Sequence, residues 1–146
     1  MRAFLALLTL PLALAACEKP KTITVSDGWV RLAAVPGRPA AAYFIIHGGP
    51  GDATLMTVDS PVAIHSEMHQ SMGSGGMSGM KPLTSLAVPA RAEIKFAPGG
   101  NHVMLFDVNP GIKPGSTVPL TFTFTNGYRL VHNATAIGAG DPAPKN

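Results

Sequence analysis

Cysteine is nearly absent. The 146 residues contain one, Cys17, so no internal disulfide can staple the chain. The same count excludes a blue-copper centre, which needs a Cys thiolate within the fold. Charge is scarce as well, at 13% of residues, and no run or stripe of Lys and Arg occurs, which argues against nucleic acid as a partner. No apolar run is long enough to cross a bilayer comfortably. No long segment repeats its apolar residues at period 3.6, so helices have no support. No Ser/His/Asp set, paired carboxylates or Gly-rich phosphate loop entering a helix is present. The chain therefore reads as a non-enzyme.

What is present starts at the N-terminus. Met1-Arg2 supplies positive charge, Ala3 to Ala16 is apolar, and Leu14-Ala15-Ala16-Cys17 ends the run on small residues before the cysteine. This is the layout of a secretory signal, and its ending resembles a bacterial lipobox, with Cys17 as the lipid-modified first residue of the mature protein. An ordinary signal peptide that happens to end near a cysteine is the plainer alternative. Acyl chains on Cys17 would hold an exported, periplasmic domain to the inner or outer membrane without a transmembrane helix. Loss of residues 1–16 removes Arg2 and takes the formal charge from +3 to +2. The expected organisation is a signal peptide over 1–16, a tether over 17–21, one β-domain over 22–138 and a loose tail over 139–146.

The body of the chain carries strand signals. Thr22 to Val25 and Trp29 to Leu32 are β-rich and flank a Ser-Asp-Gly turn at 26–28. Ala41 to His47 is a continuous apolar run suited to a buried strand. Leu55 to Val58 and Val62 to His69 follow. Ala92, Ile94 and Phe96 alternate with Arg91, Glu93 and Lys95, and Leu120, Phe122 and Phe124 alternate with threonines before an Asn126-Gly127 hairpin turn. Fourteen prolines and sixteen glycines fit many turns between short strands. The pattern predicts an all-β fold, an antiparallel sandwich or barrel. Gln70 to Lys81, rich in Gly, Ser and Met, breaks this rhythm and reads as a loop.

Methionine and histidine carry the chemistry. Met68, Met72, Met77, Met80 and Met104 lie within one stretch of the chain. Methionine ordinarily fills core gaps, which suffices for Met56. A Gly/Ser loop has no core to fill, so Met72, Met77 and Met80 need another reason: metal ligation, or a methionine surface for apolar partners. His47 and His132 read as structural. His65 and His69, four apart on a strand, face the same way, and His69 abuts the loop. His102 follows a Pro-Gly-Gly-Asn turn, which predicts a rim position, and Met104 shares its strand face. Imidazole with thioether is a soft donor set that selects Cu(I). Zinc is disfavoured, because its sites use Cys, His and carboxylate. Glu67 is the one carboxylate within reach.

His69, Met80, His102 and Met104 match without a gap the H-x10-M-x21-H-x-M motif of the periplasmic copper chaperones often called PCu(A)C. The flanking Ser66-Glu67-Met68-His69, Met80-Lys81-Pro82-Leu83 and Pro98 to Leu105 segments are also similar to that family, and the resemblance runs from about Val25 to Ile137. It implies a cupredoxin-like antiparallel Greek-key barrel, most simply a monomer, holding Cu(I) near one rim through those four residues. It further implies delivery of copper to the CuA centre of cytochrome c oxidase subunit II, directly or through a thiol copper chaperone. Met68, Met72, Met77 and His65 stand near the motif as auxiliary donors. Some members bind Cu(II) through a His/Met-rich tail, which the GDPAPKN ending here is not. Two other readings stay open: a copper-sequestering tolerance protein, and a metal-free lipoprotein interaction module.

Overall fold

The computed structural model describes residues 22–74 and 77–145, with all their side chains except those of Ser74, Met77 and Ser78. The expected signal peptide, Cys17, the tether and the Met77 side chain lie outside the described residues. Among the described residues ten strands form one sheet: β1 Thr24–Arg31, β2 Ala40–His47, β3 Ala53–Asp59, β4 His65–Ser74, β5 Met77–Leu83, β6 Leu86–Val88, β7 Glu93–Phe96, β8 Asn101–Phe106, β9 Thr117–Phe124 and β10 Arg129–Ile137. Their order is β5-β4-β8-β7-β2-β1-β10-β9-β3-β6, with β8 also pairing β2. The β1–β10 and β7–β8 pairs are parallel and the other pairs antiparallel. The all-β expectation holds.

Alternation explains where the core lies. On β9, Val118, Leu120, Phe122 and Phe124 are buried, while the intervening residues are not. β2 behaves likewise: Ala40, Ala42, Phe44 and Ile46 face inward, and Ala41, Tyr43, Ile45 and His47 face outward. The Phe44 ring stacks on Phe96 at 4.4 Å and meets Phe122 edge-on at 4.7 Å. Such aromatic pairs add about 0.5–1.5 kcal/mol each beyond the area they bury. The sheet curls until β3 meets β4, where Ser66 Oγ donates to the Val58 carbonyl at 2.5 Å and lies 2.9 Å from Asp59 Oδ1. That seam nearly closes a barrel.

Four local expectations are corrected. Residues 26–28 are not a turn between two strands but a bulge inside β1, with Asp27 at φ 55°. The expected strand from Val62 starts only at His65, because Ala63 N–H bonds back to Ser60 and leaves Ile64 79% exposed in a turn. Met56 fills no core gap; it sits at a register shift in β3 and is exposed. Within the segment from Gln70 to Lys81, residues 70–74 and 77–81 form the arms of a β4–β5 hairpin, paired from Met68↔Leu83 to Ser74↔Met77. Gln70 and Met72 on one face and Gly73 and Met80 on the other are exposed, so backbone pairing shapes this ribbon and its sequence shows no apolar period.

The first residues of the tail are tied down. Arg31 Nη1 donates to the carbonyls of Gly138, Ala139 and Asp141 at 3.3, 3.0 and 2.6 Å.

Candidate metal centre

β8 lies between β4 and β2, and its register fixes which side chains meet. His69 pairs directly with His102, and Glu67 pairs with Met104. Paired residues project from the same face, with Cβ atoms about 4.5–5.5 Å apart. Val103 and Leu105 fill the core, so His102 and Met104 must point the other way, onto the outer face. The hairpin adds the fourth residue: Ser71 pairs with Met80, which puts Met80 on that same face two register positions beyond His69↔Pro82.

Three of these side chains, His69, Met80 and His102, approach one another. The rings of His69 and His102 are 5.8 Å apart at 69°. Nε2 of His102 lies 3.2 Å from Sδ of Met80, and Nδ1 of His102 donates to the Gly100 carbonyl at 3.1 Å. A carbonyl only accepts, so the imidazole proton of the neutral ring belongs on Nδ1 and Nε2 presents a lone pair to sulfur. The same carbonyl accepts the Ser71 N–H at 3.1 Å. One oxygen thus fastens both the hairpin and the ring beneath it. On His69, Nε2 stands 3.2 Å from Glu67 Oε2, while Nδ1 is buried without a hydrogen-bond partner.

This arrangement fits a soft cation. Two electron-pair donors, one nitrogen and one sulfur, face one another at 3.2 Å with no proton between them, and on the neighbouring His69 ring Nδ1 is buried and unpaired. Native proteins seldom leave such groups unanswered. Among the described residues no three His, Cys, Asp or Glu side chains cluster as metal ligands would, so the convergent set is imidazole with thioether.

Burial differs from the expected rim. His102 is only 6% exposed, because the hairpin lies over it, whereas Met80 is 57% exposed and forms the open side. Met104 is half-buried on the shared face, across from Ala41 of β2 as well as Glu67. Two residues from Ala41, Tyr43 packs on Trp29 at 4.4 Å, and the Arg31 guanidinium lies 5.2 Å above the Trp29 ring. Burial pushes the Tyr43 hydroxyl above its ordinary value, and the Arg31 charge partly offsets this.

Of the auxiliary candidates, Met68, Met72 and His65 stand apart from the group, and the Met77 side chain lies outside the described residues. Met68 is a core residue, 5% exposed, on the opposite face of β4. Met72 is exposed on that opposite face too, across from Gly79. His65 shares the outer face but stands about 13 Å from His69 along the strand, its ring stacked on Phe106 at 4.4 Å. His47 and His132 are structural, as expected: His47 Nε2 meets Ser26 Oγ at 2.8 Å, and His132 Nε2 accepts the Gly28 N–H at 3.2 Å. Sequence reasoning missed the Gly100 carbonyl. The i, i+2 spacing of Glu67 and His69 is the signal that places both on one strand face.

Known proteins bear on this site. The sequence profile of the LpqE-like family, described as "Putative lipoprotein LpqE-like", matches residues 23–136. "Putative lipoprotein Lxx21020" of Leifsonia xyli subsp. xyli (strain CTCB07) is 29% identical over 106 residues, which are 72% of this chain and 63% of that protein. The chain thus spans less than two thirds of that relative's length. Among solved structures, the solution structure of CuI-DR1885 from Deinococcus radiodurans is 28% identical with a TM-score of 0.65, covering 84% of this chain and 83% of that one. The copper-bound PCuAC domain from PmoF2 shares the fold at a TM-score of 0.67 and 19% identity, covering 83% of this chain and 96% of that one. With a profile match over most of its described length and this fold, the chain belongs to the LpqE-like family, a PCuAC family.

Proposed function

We propose that this protein binds Cu(I) through His69, Met80, His102 and Met104 and serves as an exported copper chaperone. The observation that carries the reading is the approach of His102 Nε2 to Met80 Sδ at 3.2 Å beside the unpaired, buried Nδ1 of His69. Thioethers stay unprotonated and favour the reduced ion, and neither donor type risks disulfide formation in an oxidising compartment. The names of two structural relatives support the metal: one was solved as a copper-bound domain and one in a CuI form.

Exposure supports carriage. His69 and His102 hold the inner side of the site, with 13% of the His69 side chain exposed, while Met80 forms the solvent side. An incoming thiolate or thioether of a recipient would meet Met80 first and could replace it while the imidazoles keep hold of the ion. The recipient we favour is the CuA centre of cytochrome c oxidase, reached directly or through a thiol chaperone. The lipoprotein descriptions of the family and of the Leifsonia relative support anchoring of the mature chain through Cys17 on the periplasmic side of a membrane.

Anaerobic competition against a Cu(I) chelator tests the first step. Reduced protein should take up one Cu(I), and X-ray absorption of that form should show nitrogen and sulfur donors together. A protein that takes no Cu(I) from the chelator sinks the proposal. Delivery is tested in cells: loss of the protein should lower oxidase activity at limiting copper, whereas sensitivity only to excess copper would mean sequestration.

A further inference from the structure

Glu67 lies outside the proposed ligand set, yet it touches the site. Its Oε2 is 3.2 Å from Nε2 of His69, and its Oε1 is 3.8 Å from Nε2 of His65. His65 is itself held against Phe106, the two rings stacked at 4.4 Å and parallel within 1°. The carboxylate is therefore bracketed along the strand by two imidazoles. Across the strand pair stands Met104.

We propose that Glu67 is the positioning residue of the metal site: by accepting the Nε2–H of His69 it fixes that tautomer and leaves Nδ1 as the metal-binding atom. A neutral imidazole carries one N–H. With the proton on Nε2, that N–H is satisfied by the carboxylate, and Nδ1 offers a lone pair from a buried position with no competing partner. The opposite assignment puts an N–H on Nδ1, buried and unpaired, and turns the Nε2 lone pair toward an anionic oxygen. Both consequences are unfavourable. Carboxylate, imidazole and metal in series is the arrangement by which outer groups orient a histidine ligand and raise its basicity. The alternative of Glu67 as a direct ligand would take it off Nε2 and lose that pairing.

The tautomer part stands independently of copper, while the ligand part rests on the Cu(I) reading. Two measurements separate them. Long-range 1H–15N correlation spectra of the metal-free protein, taken above the imidazole titration range, should show His69 protonated at Nε2. Glu67→Ala should convert His69 to a mixture of tautomers, and Glu67→Gln, whose amide oxygen still accepts, should restore the Nε2–H form. Glu67 is half-exposed, so both variants should keep the dispersed spectrum of the folded sheet. In chelator competition Glu67→Ala should bind Cu(I) about 10–100-fold more weakly, with Glu67→Gln recovering most of the loss. An unchanged His69 tautomer in Glu67→Ala overturns the proposal, and so does an unchanged affinity. Wild-type protein that takes up no Cu(I) would overturn the copper reading and the ligand role with it, while the metal-free spectra would still decide whether Glu67 sets the tautomer.

Discussion

Nε2 of His102 and Sδ of Met80 are 3.2 Å apart although the residues are separated by 22 positions. The approach is set by backbone pairing and not by packing of apolar groups. β4 runs past the barrel, β5 returns along it in the Ser71↔Met80 register, and the Gly100 carbonyl holds Ser71 N–H and His102 Nδ1–H together. A buried imidazole is thereby covered by an exposed thioether. Under the proposed Cu(I) reading this gives one donor that is fixed and one that is free to leave, as a carrier needs and a permanent cofactor site does not.

Met80→Leu separates the donor role of that thioether from its bulk. Leucine keeps similar volume and removes the sulfur. Cu(I) affinity should fall at least about tenfold, the lower end of what losing even an outer partner costs. Stability should change by no more than about 0.5 kcal/mol, since the side chain is exposed. Chelator competition and thermal unfolding read the two effects. His132→Ala, remote from the site, should leave affinity unchanged, and an equal loss there would mean the ligands are misassigned.

Much of this architecture could be read from the chain because burial imposed a period. The β9 core announces itself through Leu120, Phe122 and Phe124, whereas β2 reads only as a continuous apolar run and its alternation of Phe44 and Ile46 with Tyr43 and Ile45 shows only in the fold. The spacing of His102 and Met104 gave a shared face for the same reason. The hairpin could not be read, because Gly, Ser and Met on a ribbon exposed on both faces have no inside and outside to alternate between. The β1 bulge also escaped, since Ser-Asp-Gly favours a turn and a bulge alike. The burial of His102 depended on that unread hairpin, so a rim position was expected in its place. Long-range pairing decided what local pattern could not.

Phe44 tests the core that carries the site. Its ring is 1% exposed between Phe96 and Phe122, on the strand next to β8. Phe44→Ala should cost about 3–5 kcal/mol by leaving a cavity among rigid neighbours. Urea unfolding should show a lower midpoint with a similar slope. Ile45, the next residue and half-buried on the outer face, should cost clearly less when changed to Ala. Equal losses at the two positions would contradict the assignment of faces on β2.

His132 should make stability depend on pH. Burial holds its imidazole below the ordinary value of 6.5, with the Asp27 charge pulling weakly the other way. The unfolded chain therefore binds this proton more readily than the folded protein does. The stabilisation is complete above about 6.5 and drains away as pH falls below that value toward the depressed folded one. Thermal midpoints should decline on acidification through this window. In His132→Gln, which cannot titrate, the decline should be shallower, and an unchanged slope would show that other groups set it.

Gly28 and His132 should prove energetically coupled. The bulge brings Gly28 N–H to 3.2 Å from His132 Nε2, and a Cβ at position 28 would collide with Cδ2 and Nε2 of that ring. Gly28→Ala must push the imidazole out and break the bond that closes the bulge, at about 1–3 kcal/mol for the overpacking. Removing the obstacle should return part of the loss. The double variant Gly28→Ala, His132→Ala should then be more stable than the sum of the single changes, with a coupling of about 0.5–3 kcal/mol, the range for residues in contact. Denaturant unfolding of the four proteins in the cycle measures it directly. Strict additivity would mean that the bulge accepts a side chain without meeting His132, contrary to the close approach across β1 and β10.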